Sequence, residues 1–83
     1  MTRPYAAEIG TALRELRESL NLSQAEVATE LGVATLTISK WERGLYVPTV
    51  DDFIRLCTTL GVLASDVLKR VEVLLIQEAG NLY

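Results

Sequence analysis

Hydrophobic residues along this chain recur at three- and four-residue steps, the spacing that stacks side chains on one face of an α-helix. Ile9, Leu13, Leu16 and Leu20 form the first stripe and predict a helix from about Tyr5 to Leu20, starting after Pro4. Asn21 and Leu22 break it. Ser23 with Glu26 three residues on is a capping box, in which each residue satisfies an unpaired N–H of the other, and it fixes the start of a second helix. Val27 and Leu31 share one face of that helix, which stops at Gly32, where glycine accepts a left-handed backbone at little steric cost. A third helix runs from about Thr35 to Arg43 with Ile38 and Trp41 inward, and stops at Gly44. Pro48 closes a loop, and Thr49 with Asp52 makes a second box that opens helix four, whose stripe is Phe53, Leu56, Cys57 and Leu60 up to Gly61. Helix five starts near Ser65 or Asp66 and continues to about Glu78, with Val67, Leu68, Val71, Leu74 and Leu75 at helical spacing and Gly80 as the stop. The pattern predicts five helices and no strand.

Ser23 to Gly44, SQAEVATELGVATLTISKWERG, is the most informative stretch. It reads as two short helices held at a fixed angle by a tight turn, with Ala28 small where the helices cross closely. That is the shape of a DNA-reading unit.

Size and chemistry narrow the choice. Eighty-three residues with a 49% apolar composition make one domain with a modest core, too small for an enzyme cleft with a lid. There is no histidine, no nucleophile beside a base, no glycine-rich phosphate loop and no metal-ligand spacing, so neither an enzyme nor a cofactor is expected. The lone Cys57 is expected as a reduced core residue. No apolar run is long enough to span a bilayer and the N-terminus does not read as a signal sequence, which points to a cytoplasmic protein without a membrane partner. The net charge of −3 runs against nucleic-acid binding, and residues 1 to 43 hold Arg3, Arg14, Arg17, Lys40 and Arg43 against Glu8, Glu15, Glu18, Glu26, Glu30 and Glu42. Any basic face must therefore be local. Backbone N–H groups at helix N-termini relax the need for cations, because they can hold phosphate themselves.

With these residues placed, the chain resembles the Cro and phage-repressor type of helix-turn-helix protein, the lambda-repressor-like fold. The resemblance covers about residues 9 to 68, through IGTALRELRESLNLSQ, WERG and VPTVDDFIRLCTTLGV. It implies an all-α DNA-binding domain over residues 1–70, with the second helix of the motif lying in the major groove of double-stranded DNA. Carried over residue by residue, it puts Thr35, Leu36 and Lys40 on base edges: a hydroxyl that donates or accepts, an apolar group for a thymine methyl, and a donor for guanine O6 or N7. Thr37 and Ser39 would face the groove edge or the backbone, and Gln24 and Arg43 would hold phosphates, Gln24 also bracing the recognition helix. Arg17 and Glu42 would form an internal ion pair between the first helix and the end of the third. Arg3 sits in a short N-terminal arm that reads as a tail. Two positions depart from the family pattern. Leu45, Tyr46 and Val47 are apolar where similar proteins often carry a cation, leaving Tyr46 as a substitute backbone donor, and Ala34 occupies the usual capping position before helix three. Both departures predict moderate affinity that depends strongly on salt and on dimerisation.

Residues 71–83 extend the unit with a helix whose apolar residues exceed what one small core can bury. Val71, Val73, Leu74, Leu75 and Ile76 are therefore expected at a homodimer interface, with two recognition helices set about one DNA turn, roughly 34 Å, apart. The competing expectation is that the helix folds back on its own domain. The reading that follows is a dimeric repressor on a palindromic operator, which could also activate if its surface touches RNA polymerase. Its rival is a protein-interaction module that keeps the fold, such as an antirepressor or an antitoxin-like subunit.

Overall fold

The computed structural model describes residues 4–80. Arg3 of the N-terminal arm and the last residues of the C-terminal extension lie outside the described residues. Five helices follow in order: α1 Ala6–Ser19, α2 Gln24–Leu31, α3 Thr35–Glu42, α4 Val50–Thr59 and α5 Ala64–Gly80, with no strand among the described residues. The boundaries follow the local chemistry. Ser23 Oγ accepts the Glu26 N–H at 3.0 Å while Glu26 Oε1 accepts the Ser23 N–H at 2.9 Å, so both halves of the expected capping box close. Gly32 ends α2 at φ 73°. The Val33 N–H then reaches back to the Ala28 carbonyl at 3.0 Å, turning the chain into α3.

Only half of the second box forms. Thr49 Oγ1 accepts the Asp52 N–H at 3.1 Å, but the Asp52 carboxylate turns outward to Arg55 at 3.3 Å instead of returning to the cap. Ala34 precedes α3 with no side-chain cap, as its methyl requires. Gly80 is the last described residue of α5 rather than a stop just past it.

The core is one cluster built from every helix: Ala12 and Leu13 of α1, Val27, Ala28 and Leu31 of α2, Ile38 and Trp41 of α3, Phe53, Leu56 and Cys57 of α4, and Val67 and Val71 of α5. Cys57 is reduced and buried, and burial pushes its thiol pKa up. Helix α1 is the hub, packing on α3 along one side and on α5 along another. Its approach to α3 is close enough to require a missing side chain. A Cβ on Gly10 would stand 2.5 Å from the Glu42 carbonyl oxygen and 2.6 Å from that of Trp41. Arg70 of α5 adds a bond to Glu15 of α1 at 3.0 Å on the surface.

The dimer expectation for α5 requires a correction. Val71 is 5% exposed and Leu75 packs against the same core, because the α5 face that carries Val67, Val71 and Leu75 lies along α1 and α4. Leu74 is half-buried, and only Val73 and Ile76 of the expected set face outward. None of the described helices is long and apolar enough to cross a membrane.

Candidate nucleic-acid interface

Helix α3 has an inner and an outer side, and the sequence sets which is which. Ile38 and Trp41, three apart, are buried against α1 and α2. That orientation turns Thr35 and Leu36 to solvent, Leu36 being 56% exposed, and leaves Thr37, Ser39 and Lys40 half-buried on the flanks. Of the three expected base-edge residues, Thr35 and Leu36 are therefore exposed and Lys40 is half-buried near the other end of the same short helix. The uncapped start of α3 leaves its first N–H groups with no side-chain acceptor.

Beneath α3 lies the network that fixes its angle. Arg17 Nε donates to Glu42 Oε2 at 2.7 Å and Nη2 to Glu42 Oε1 at 3.0 Å, a two-point fork between α1 and the end of α3. Arg17 Nη1 donates to the Leu22 carbonyl at 2.8 Å, tying in the turn before α2. Gln24 Nε2 completes the set with a bond to Glu42 Oε1 at 3.1 Å. The Glu42 side chain is 4% exposed, yet its carboxylate has three donors. The bond to Glu42 raises the Arg17 pKa against the opposing effect of burial. The expected ion pair is present, and Gln24 braces α3 through it. One Gln24 N–H is committed to that brace, so a phosphate would meet what remains of its amide.

A polar cleft of about 190 Å³ opens above this network, lined by Arg14, Arg17, Glu18, Gln24, Glu42 and Arg43. Arg43 folds back on α3, its Nε donating to Ser39 Oγ at 3.1 Å. Arg14 was not singled out in the sequence because its i,i+4 partner Glu18, at 3.3 Å, makes it look like ordinary surface pairing. Arg14, Arg17 and Arg43 share this cleft with Glu18 and Glu42, and α4 and α5 carry Arg55, Lys69 and Arg70 beside Asp51, Asp52, Asp66, Glu72 and Glu78. Arg14 and Arg17 are ion-paired with Glu18 and Glu42, so of the cleft's three cations Arg43 is the one with no carboxylate within 4.0 Å among the described residues. Tyr46, 60% exposed, lies beside Lys40, whose Nζ is 4.8 Å from the centre of the tyrosine ring.

Away from this face, Ile9, Val47, Pro48, Val50, Phe53, Ile54, Ala64 and Leu68 line an apolar groove of about 310 Å³. Val50 is 77%, Ile54 50% and Leu68 47% exposed.

Residues 13–67 match the helix-turn-helix family. The ImmF control region 10 kDa protein of Bacillus phage phi105 is 29% identical over 73 residues, covering 88% of this chain and 80% of that protein. The HTH-type transcriptional activator BcrR of Enterococcus faecalis is 30% identical over 74 residues, which cover 89% of this chain but only 36% of BcrR. Among solved structures, the master regulator for biofilm formation SinR, in complex with DNA, superposes with a TM-score of 0.67 and 28% identity over 72% of this chain and 97% of that one.

Proposed function

The chain belongs to the helix-turn-helix family of transcription regulators, and we propose that it is a sequence-specific DNA-binding repressor that reads its operator through α3. The observation that carries the proposal is the division of α3. Ile38 and Trp41 and the Arg17–Glu42 fork hold one side, and this leaves Thr35 and Leu36 exposed with Lys40 half-exposed beside them. In this reading α3 enters the major groove, Thr35, Leu36 and Lys40 meet base edges, and Gln24, Thr37, Ser39 and Arg43 line the backbone. Repression follows from occupying a promoter, and a surface that touched RNA polymerase would convert the same binding into activation.

A dimer would present two copies of α3 to a palindrome. The groove around Val50, Ile54 and Leu68 supports this assembly better than the full α5 set, since Val71 and Leu75 already belong to the core. Val73 and Ile76 remain outward on α5 and could extend the contact.

Selection of bound duplexes from a random pool tests the proposal. A palindromic consensus with a fixed half-site spacing is the expected result. Absence of binding at low salt, where phosphate contacts are strongest, would instead favour a protein-interaction module.

A further inference from the structure

We propose that Tyr46 is a positioning residue for Lys40: its ring holds the lysine ammonium beside α3, so that the loop after the helix sets discrimination at the base pair Lys40 meets. The inference rests on the reading of α3 as the recognition helix. It also replaces the expected role of Tyr46 as a phosphate donor with a different one.

The loop geometry ties the two side chains together. Past Gly44, the Leu45 N–H donates to the Lys40 carbonyl at 2.9 Å and the Tyr46 N–H approaches the same oxygen at 3.4 Å. The residue that carries the ring is thereby fastened to the backbone of the residue that carries the charge. Pro48, which is buried, anchors the chain two residues later. The resulting separation of 4.8 Å between Nζ and the ring centre lies within the ~6 Å over which an aromatic face attracts a cation.

The choice of partner matters chemically. Among the described residues Arg14, Arg17, Arg55 and Arg70 each have a carboxylate within 4.0 Å, and no such pair involves Lys40. A carboxylate would take up the donors of the ammonium group and compete with a base for them. An aromatic face attracts the same charge but takes no strong hydrogen bond, so the N–H groups stay available for guanine O6 or N7. A flexible lysine stem is also confined before DNA arrives, which lowers the ordering cost on binding.

The test uses the full chain and two substitutions, Tyr46→Phe, which keeps the ring, and Tyr46→Leu, which removes it. In the free protein, ring current should shift the Lys40 ε-methylene protons upfield in the wild type and in Tyr46→Phe but not in Tyr46→Leu. On the selected duplex, Tyr46→Leu should lose about two- to fivefold in affinity, the range expected for an exposed cation–ring contact. That loss should be confined to duplexes carrying the preferred base at the Lys40 position and should vanish in a Lys40→Ala background, with Tyr46→Phe unchanged. An equal loss on all sequences for Tyr46→Phe and Tyr46→Leu would identify the hydroxyl as a backbone donor and overturn the inference. A missing upfield shift overturns the Tyr46 role alone. A normal shift with no base preference altered by Lys40→Ala overturns the reading of α3 as well, and so separates the two failures.

Discussion

Arg17 and Glu42, 25 residues apart in the chain, meet through two parallel hydrogen bonds of 2.7 and 3.0 Å that lock the first helix to the end of α3. Arg17→Ala leaves a nearly buried carboxylate with Gln24 as its remaining side-chain donor. Breaking such a pair from one side costs about 3–5 kcal/mol, a large part of the stability of a small domain. Urea denaturation should show this loss. The double change Arg17→Met with Glu42→Leu should recover much of it while still weakening DNA binding, because the brace on α3 is gone.

Gly10→Ala is expected to be as damaging as a core substitution, although it adds a single methyl group. The new Cβ would stand 2.5 Å from the Glu42 carbonyl oxygen, a backbone atom that cannot swing aside. Overpacking of this kind costs about 1–3 kcal/mol or more, readable as a lower melting temperature. Gly61→Ala provides the contrast, since its Cβ would meet nothing within 4 Å and the strain there comes only from φ +74°.

Lys40 and Arg43 should separate in binding assays. Lys40→Ala should relax the preference at one base pair by about 1–3 kcal/mol, measured by competition with single-base operator variants. Arg43→Ala should weaken all sequences alike and lower the steepness of the salt dependence by about one phosphate contact. A loss of base preference in Arg43→Ala would reverse the two assignments.

Ile54→Glu places a charge in the apolar groove without touching the core or α3, Ile54 being half exposed. Sedimentation of the wild type at micromolar concentration is expected to give a dimer, and the variant a monomer of unchanged helix content. A monomeric wild type would remove the dimer from the proposal.

Two carboxylates predict opposite responses to acid. Glu26 sits below the ordinary carboxylate range because it accepts the Ser23 backbone N–H and bonds the Ser23 side chain. Its folded pKa is thus below the unfolded one, so its contribution is complete above the ordinary range and is lost as pH falls through the lowered value. Glu78 is raised, chiefly through a shared hydrogen bond with Glu8 and then by partial desolvation. Its contribution is complete below the ordinary range and is lost as pH rises through the raised value. Amide exchange should therefore show the start of α2 loosening in acid while the C-terminal end of α5 tightens. Glu26→Gln should abolish the first trend and Glu78→Gln the second.

What the sequence made legible was mostly local. Ser23 and Glu26, or Ile38 and Trp41, are close in the chain, and their spacing alone decides a cap or a buried face. The Arg17–Glu42 pair was accessible only through resemblance, since nothing in either residue's neighbourhood points to the other. Gly10 escaped notice because its role depends on how closely two distant helices approach. The face of α5 was ambiguous for a related reason. A helix apolar on several sides does not say which side its own domain will cover, and packing on α1 and α4 decided in favour of Val67 and Val71. The groove was hidden too, as Val50, Ile54 and Leu68 belong to two helices and gather only after folding.

Helix α1 carries none of the residues assigned to base edges, yet it touches both α3 and α5 along its length. It acts as a strut with reading at one attachment and the C-terminal helix at the other. Shortening α5 would remove a support from the strut, so a truncation far from the DNA face should alter operator preference as well as stability. A ligand or partner that repositioned α5 would have the same mechanical route to α3.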